Sequence, residues 1–265
     1  MNESSSIPSP IPSVPPLVAP PPSLHEPRPL GDDPGERTAI PNTFVAIEAV
    51  LRQPRRLLYQ LRQPGAGKLI AAMLLASIIS SLIYGVVVGT FSGGAQLWIA
   101  PVKIALGLMI SAAICLPSLY IFTCLSGSQA RLIEVCGLLA GLLLLMTILL
   151  IGFAPVAWIF SESTELPAWM GTLHLMFWLV ATLFGLRFMK AGFRHANARS
   201  QAGINVWIII FLLVALQMTT ALRPILGKAP TFFPAEKKFF VGHWVDCLKS
   251  AATNPATDAP AANSH

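Results

Sequence analysis

At 265 residues the chain could hold one or two soluble domains, but 54% of it is apolar, only 11% is charged, and its mean hydropathy is +0.65. Ordinary globular proteins need about 25% charged residues, so this composition excludes a chain built only of water-facing domains. The net charge of +6 is modest and unevenly placed, and that placement carries the orientation argument below.

Residues 1–42 hold 12 of the 23 prolines, with serine, alanine and a few acids between them. A stretch that cannot bury enough apolar surface to offset its ordering entropy is expected to be disordered, with polyproline-like pieces. It lacks the basic start and apolar core of a signal peptide. Pro12-Ser13-Val14-Pro15 fits the PxxP pattern, but in a tail this rich in proline such a match is nearly inevitable, so a solvated tether is the plainer reading.

Residues 43–66 form the next unit. Phe44, Ile47, Val50 and Leu51, then Leu57, Leu58 and Leu61, recur at three- and four-residue steps, and Pro54 and Pro64 stand at plausible helix starts. Arginines fill the remaining face. This pattern predicts an amphipathic segment lying in the headgroup layer, with Arg52, Arg55, Arg56, Arg62 and Lys68 as a basic collar on the membrane surface. The Gly65-Ala66-Gly67-Lys68 ending is not a phosphate loop. That motif needs glycine where Arg62 stands and Ser or Thr where Leu69 stands. Only Tyr59 is available to stack on a base among the arginines, which argues against a nucleic-acid surface.

Five apolar runs follow, at about 69–91, 102–125, 132–153, 172–189 and 204–222. A hydrocarbon core of about 30 Å takes roughly 20 helical residues, so residues 67–224 are expected to form an all-α bundle of about five membrane spans, with four and six as alternative counts. Ten lysines and arginines lie in the lead-in and in the two short loops on its side, including Arg131, Arg187, Lys190, Arg194 and Arg199; the opposite loops have only Lys103, with Glu162 and Glu165. This bias predicts a cytoplasmic N terminus and, with five spans, an external C terminus. Arg223, Lys228, Lys237, Lys238 and Lys249 would then lie outside, against the trend. The expected location is a bacterial inner membrane.

Within the spans, small residues fall at four-residue steps: Ser77, Ser81, Gly85 and Gly89 in the first, Gly107, Ser111 and Cys115 in the second, Gly137 and Gly141 in the third. Such stripes allow close backbone approach where lipid supplies no hydrophobic drive for helices to associate. They predict helix packing inside the bundle or an oligomer seam. A second set is polar and clusters toward the outer ends: Lys103, Glu162, Glu165, His174, Gln217, Thr220 and Arg223. Polar groups at such depths can mark a solute or ion path, or be snorkelling ends and loop charges. Near the inner boundary Arg131 lies three residues before Glu134, at ion-pair spacing.

Residues 225–249 contain Phe240, Trp244, Val245 and Leu248 on one face among lysines, and they read as a second interfacial helix. Residues 250–265 read as a disordered tail. Cys115, Cys124, Cys136 and Cys247 have no close paired spacing and no histidine partner, so neither a disulfide framework nor a zinc knuckle is indicated. The four aspartates all lie outside the spans, and HExxH and GxSxG are absent. No catalytic, cofactor or metal site is therefore expected.

The approach Pro54-Arg55-Arg56-Leu57-Leu58, the second proline at Pro64 and the span containing Ser80-Ser81-Leu82-Ile83-Tyr84 resemble the Yip1-type five-span membrane proteins, over about residues 44–222. The resemblance implies a helical bundle without catalysis and with its N terminus inside. The acidic DLYGP-like entry motif is missing, so a trafficking role does not follow. Blocks 153–161, 217–227 and 236–244 are also similar to a bacterial multi-pass group, some of whose members carry an actin-binding WH2 label; no LKKT-like element is present here. The expected partners are membrane lipid, other membrane proteins or a second copy of the chain, and neither nucleic acid nor nucleotide. The leading function is a non-enzymatic scaffold; the alternative is a transporter or channel for a small solute or ion using the outer polar set.

Overall fold

Local chemistry punctuates the start of the folded region. Asn42 accepts a hydrogen bond from the Val45 amide at 3.0 Å and so caps helix α1 (Thr43–Arg52). One residue later Pro54 opens α2 (Pro54–Leu61), its missing amide falling where a helix has no internal partner to lose. Gly65, at a φ of 93°, takes the left-handed turn that leads into α3 (Ala66–Ser92). The helices α4 (Gln96–Leu125), α5 (Leu132–Ser163), α6 (Pro167–His195) and α7 (Ala202–Ala221) follow. The computed structural model describes residues 29–92, 96–128, 130–163, 167–195 and 202–221, and among them no strand occurs. The expectations for residues 1–28, for the interfacial helix at 225–249 and for the tail at 250–265 lie outside the described residues.

The chain is all-helical, and α3, α4, α5 and α6 are long and apolar enough to cross a membrane. The fifth apolar run is α7, Ala202–Ala221, whose apolar stretch with described side chains is Ala202–Met218. The outward faces of these helices are greasy. Leu75, Ile79, Ile83 and Val86 make an exposed stripe along α3, and Val102, Leu106, Ile110 and Ile114 make another along α4. Water would penalise apolar stripes of this extent, whereas a lipid interior accepts them. The bundle is membrane-embedded.

Helix α5 is the post around which the others stand. In its apolar window 72% of residues are buried, against 44% in the other three long helices. It packs on α3 and α6, while α4 leans on α3 and carries α7 on its other side. Glycines set these approaches. A methyl group on Gly85 of α3 would overlap the Pro101 backbone of α4. One on Gly141 of α5 would come within 2.5 Å of the Phe188 ring of α6, and one on Gly185 of α6 would lie 3.2 Å from the Leu142 carbonyl. At the far side of the row, the wholly buried Trp207 of α7 donates its indole N–H to the Cys115 carbonyl of α4 at 2.9 Å.

The small-residue contacts make a paired prediction. Gly85→Ala drives a methyl into backbone that cannot swing away and is expected to cost about 1–3 kcal/mol. Gly152→Ala meets nothing within 4 Å and should stay within about 0.5 kcal/mol. Thermal unfolding of both variants in detergent checks this; equal stability would rule out the close α3–α4 crossing.

Candidate functional site

Two polar clusters lie at opposite ends of the bundle. At the end where α3 begins, α1 and α2 pack under α3 and α5. Leu57, Leu58 and Leu61 of α2 are buried: Leu61 fits against Gly137 of α5, and Leu58 lies beside Gly192 of α6. Helix α2 therefore packs its leucine face onto the base of the bundle. On α1 the expected apolar face is split. Ala46, Ala49 and Val50 are buried, whereas Phe44 is 84% exposed and Leu51 also faces outward.

Residues 29–40, expected within the disordered tail, lie along α2. The reason is a set of charge-assisted and backbone hydrogen bonds. Glu36, itself buried, accepts from the Gly31 amide at 2.6 Å and pairs with Arg55. Arg55 also donates to the Pro29 carbonyl at 3.0 Å, and Arg56 donates to the carbonyls of Thr38 and Ala39 at 3.0 and 2.8 Å. Burial pushes the Glu36 pKa up, but the hydrogen bonds from Arg55 and the Gly31 amide, with the Arg55 charge, outweigh it and leave the carboxyl below its ordinary value. Glu36 was not among the site residues that the sequence singled out; its local signal is an acid two residues after Pro34.

Of the basic collar, Arg52 and Lys68 are exposed, and Arg52 stands 3.9 Å from Glu48. Arg55, Arg56 and Arg62 are committed to the fold. Arg62 donates to the His195 carbonyl at 2.6 Å, satisfying the last turn of α6, and lies 3.8 Å from Glu134. Arg131 pairs with Glu134 at 2.9 Å, as its spacing predicts, and also donates to the Arg62 carbonyl. Leu30, Leu61, Arg62, Glu134 and Gly192 border a recess of about 20 Å³, room for about one water.

The far-end cluster sits inside the bundle. The Tyr84 hydroxyl of α3 and Nδ1 of His174 on α6 are 2.7 Å apart, their rings edge-to-face at 5.7 Å. His174 Nε2 is buried without a hydrogen-bond partner. Lys103 of α4 is wholly buried. Gln217 lies on the exposed side of α7. The side chains of Glu162 and Thr220, and all of Glu165 and Arg223, lie outside the described residues. The structure thus joins His174 to Tyr84, a residue outside the expected polar set, and puts Lys103 at similar depth.

The small-residue set is internal where its contacts are described. Ser77, Ser81 and Ser111 are buried and return their hydroxyls to the carbonyls of Met73, Ser77 and Gly107, a habit that satisfies the hydroxyl within its own helix. Gly85, Gly137 and Gly141 face Pro101, Leu61 and Phe188, and Gly89 and Gly107 are buried.

No family model, no curated protein and no solved structure matches this chain.

The basic-end arrangement has a pH signature. Because the Glu36 pKa is lower folded than unfolded, its contribution to stability is present above the ordinary carboxylate range and is lost as pH falls through the folded value. Limited proteolysis within 29–40 should therefore stay slow at neutral pH and accelerate once the pH falls below the ordinary carboxylate range. Glu36→Gln should speed it already at neutral pH. Equal cleavage of both chains at pH 7 would remove the latch from the account.

Proposed function

We propose that the chain is a non-enzymatic, multi-pass protein of a bacterial inner membrane, Yip1-like in plan, that binds partner proteins at its cytoplasmic end. The observation that carries this reading is the surface of α1. Phe44, Leu51 and Arg52 are exposed on a helix that packs against α2, α3 and α5. An exposed aromatic and an aliphatic group beside a cation on a fixed platform fit the chemistry of an anchor pocket in a partner. The small-residue faces contribute less to this reading than their pattern implies, since Gly85, Gly137 and Gly141 already face neighbouring helices. Glu36, Glu48 and Glu134 each stand opposite an arginine, which supports a structural role for these acids over acid–base chemistry.

A second reading, a path for a small solute or ion through the far end, is supported by one observation: the part-buried Tyr84–His174 pair and the buried Lys103 belong to helices of membrane-spanning length.

The scaffold reading is tested with Phe44→Ser and Leu51→Ser together. A stoichiometric partner that co-purifies in mild detergent is expected to be lost from this chain while its unfolding temperature is retained; a partner held equally by both chains removes α1 as the docking surface. Orientation is tested by impermeant thiol labelling in cells, after Cys124, Cys136 and Cys247 are changed to serine. Gly67→Cys should be protected in intact cells and Ser163→Cys labelled. The reverse pattern inverts the topology.

A further inference from the structure

We propose that residues 29–40 are a releasable acidic strap, and that Arg55 and Arg56 of α2, which it covers here, are a binding face for anionic phospholipid headgroups. The inference goes beyond the docking surface on α1 and does not depend on it.

Charge complementarity between strap and helix is the first observation. The strap carries three carboxylates, Asp32, Asp33 and Glu36, against one cation, Arg37. Helix α2 has two adjacent arginines and no acid. Arg62 and Arg131 face an acid of the bundle itself, Glu134. Arg55 instead pairs with Glu36 of the strap, and the described hydrogen bonds of Arg56 go to neutral oxygens of Gln53, Thr38 and Ala39. When the strap leaves, two neighbouring guanidinium groups lose the acceptors it supplies.

The manner of attachment makes the strap removable. It is closed on itself: Gly31 donates its amide to Glu36 and accepts from Arg37 Nε at 2.7 Å, and Asp33 caps the 3₁₀ turn Pro34–Arg37. Gly31, at a φ of 94°, lets this ring lie against Tyr59, where a methyl would come within 2.6 Å of the aromatic carbons. Leu30 and Ile40, one near each end, pack on the apolar core, while Pro34 and Ala39 between them are exposed. The rest is held by Arg55, Arg56 and Gln60, the last donating to the Arg37 and Thr38 carbonyls at 3.2 and 3.1 Å. Part-exposed polar bonds of this kind exchange for another acceptor at small net cost. An anion that takes the two guanidinium groups removes most of the strap's hold.

Location selects the anion. The apolar windows of α3, α5 and α6 stop at this end, at Ala66, Leu132 and His195. Leu58 and Leu61 of α2 lie against Gly192 and Gly137, within about one and a half turns of two of those stops. In a membrane, arginines at the ends of spans meet headgroup phosphates, and an anionic leaflet presents these at high density within a screening length. A guanidinium grips phosphate with the same fork that grips carboxylate, so a headgroup phosphate can take the place that Glu36 holds.

The test uses the full chain in nanodiscs at neutral pH, with Cys124, Cys136 and Cys247 changed to serine and spin labels at Thr38→Cys and Gly67→Cys, both exposed positions. In phosphatidylcholine the label separation should be single and short. Adding phosphatidylglycerol should bring up a second, longer and broader population. Lipid retained by the extracted chain is measured in parallel by native mass spectrometry. Glu36→Gln should open the strap in phosphatidylcholine alone and raise retained phosphatidylglycerol by about fivefold or more. Adding Arg55→Gln and Arg56→Gln to that chain should return retention to the phosphatidylcholine level; Arg55→Lys with Arg56→Lys, which keeps the charge and loses the fork, should fall between. A strap that stays closed in phosphatidylglycerol, or opens with no gain in retained phosphatidylglycerol, overturns the proposal. Inorganic phosphate, added to phosphatidylcholine nanodiscs in exchange for chloride at constant ionic strength, should leave the strap closed. Opening there gives the face to soluble phosphate, and opening that needs a co-purified protein gives it to a protein partner; either result overturns the lipid assignment.

Discussion

The closure of α2 and α6 onto α5 is the contact on which the rest of the structure depends. Leu138, Leu142, Leu143, Leu144 and Met146 are buried within three turns of α5, so this helix has no lipid-facing side there and its neighbours must cover it. Lipid tails are as apolar as leucine, so covering it gains little from hydrophobicity and must come from dense contact. Density requires missing side chains. Gly137 and Gly141 on α5 make room for Leu61 and Phe188, and Gly185 and Gly192 on α6 make room for Leu142 and Leu138. The same economy operates at Gly85 against Pro101 and at Gly203 of α7, where a methyl would lie 2.9 Å from the Ser126 hydroxyl. Depth, register and the far-end polar pair all follow from how closely these helices approach.

Charge is sorted by end, and the two ends solve different problems. At the basic end arginines serve as long connectors between loops. Arg62 ties the α2–α3 turn to the last carbonyl of α6, Arg131 ties the start of α5 back to that turn, and Arg55 and Arg56 hold residues 29–40 in place. Isolated exposed ion pairs contribute little, but here most of the bonds go to carbonyls, which gain a partner without losing a competing charge. At the far end Tyr84 and Lys103 are enclosed by the bundle. A tyrosine and a histidine satisfy one another there, leaving a single nitrogen over. A fold that merely tolerated a histidine would leave it at a helix tip, and this one builds it into a helix–helix contact.

The sequence by itself determined the class of the molecule. Apolar runs of spanning length admit only helices in lipid, since every backbone group must be bonded within its own segment, and the all-helical bundle follows. It also placed the Arg131–Glu134 pair, because i,i+3 spacing on one helix needs no tertiary information. The buried halves of the α3 and α5 small-residue stripes were legible for the same reason: their period is that of the helix. Only the tertiary structure decided the partners. Whether Gly85 meets a second copy of the chain or Pro101 depends on how α3 and α4 cross, and periodicity is silent on crossing. Likewise the pattern gives α2 an apolar face, but only packing shows what that face meets: Leu61 lies against Gly137 and Leu58 beside Gly192. Glu36, Tyr84 and Trp207 gain their meaning from residues 19, 90 and 92 positions away. A hydrogen bond across such a separation leaves no trace in local spacing, which records the geometry of one helix and never that of the space between two.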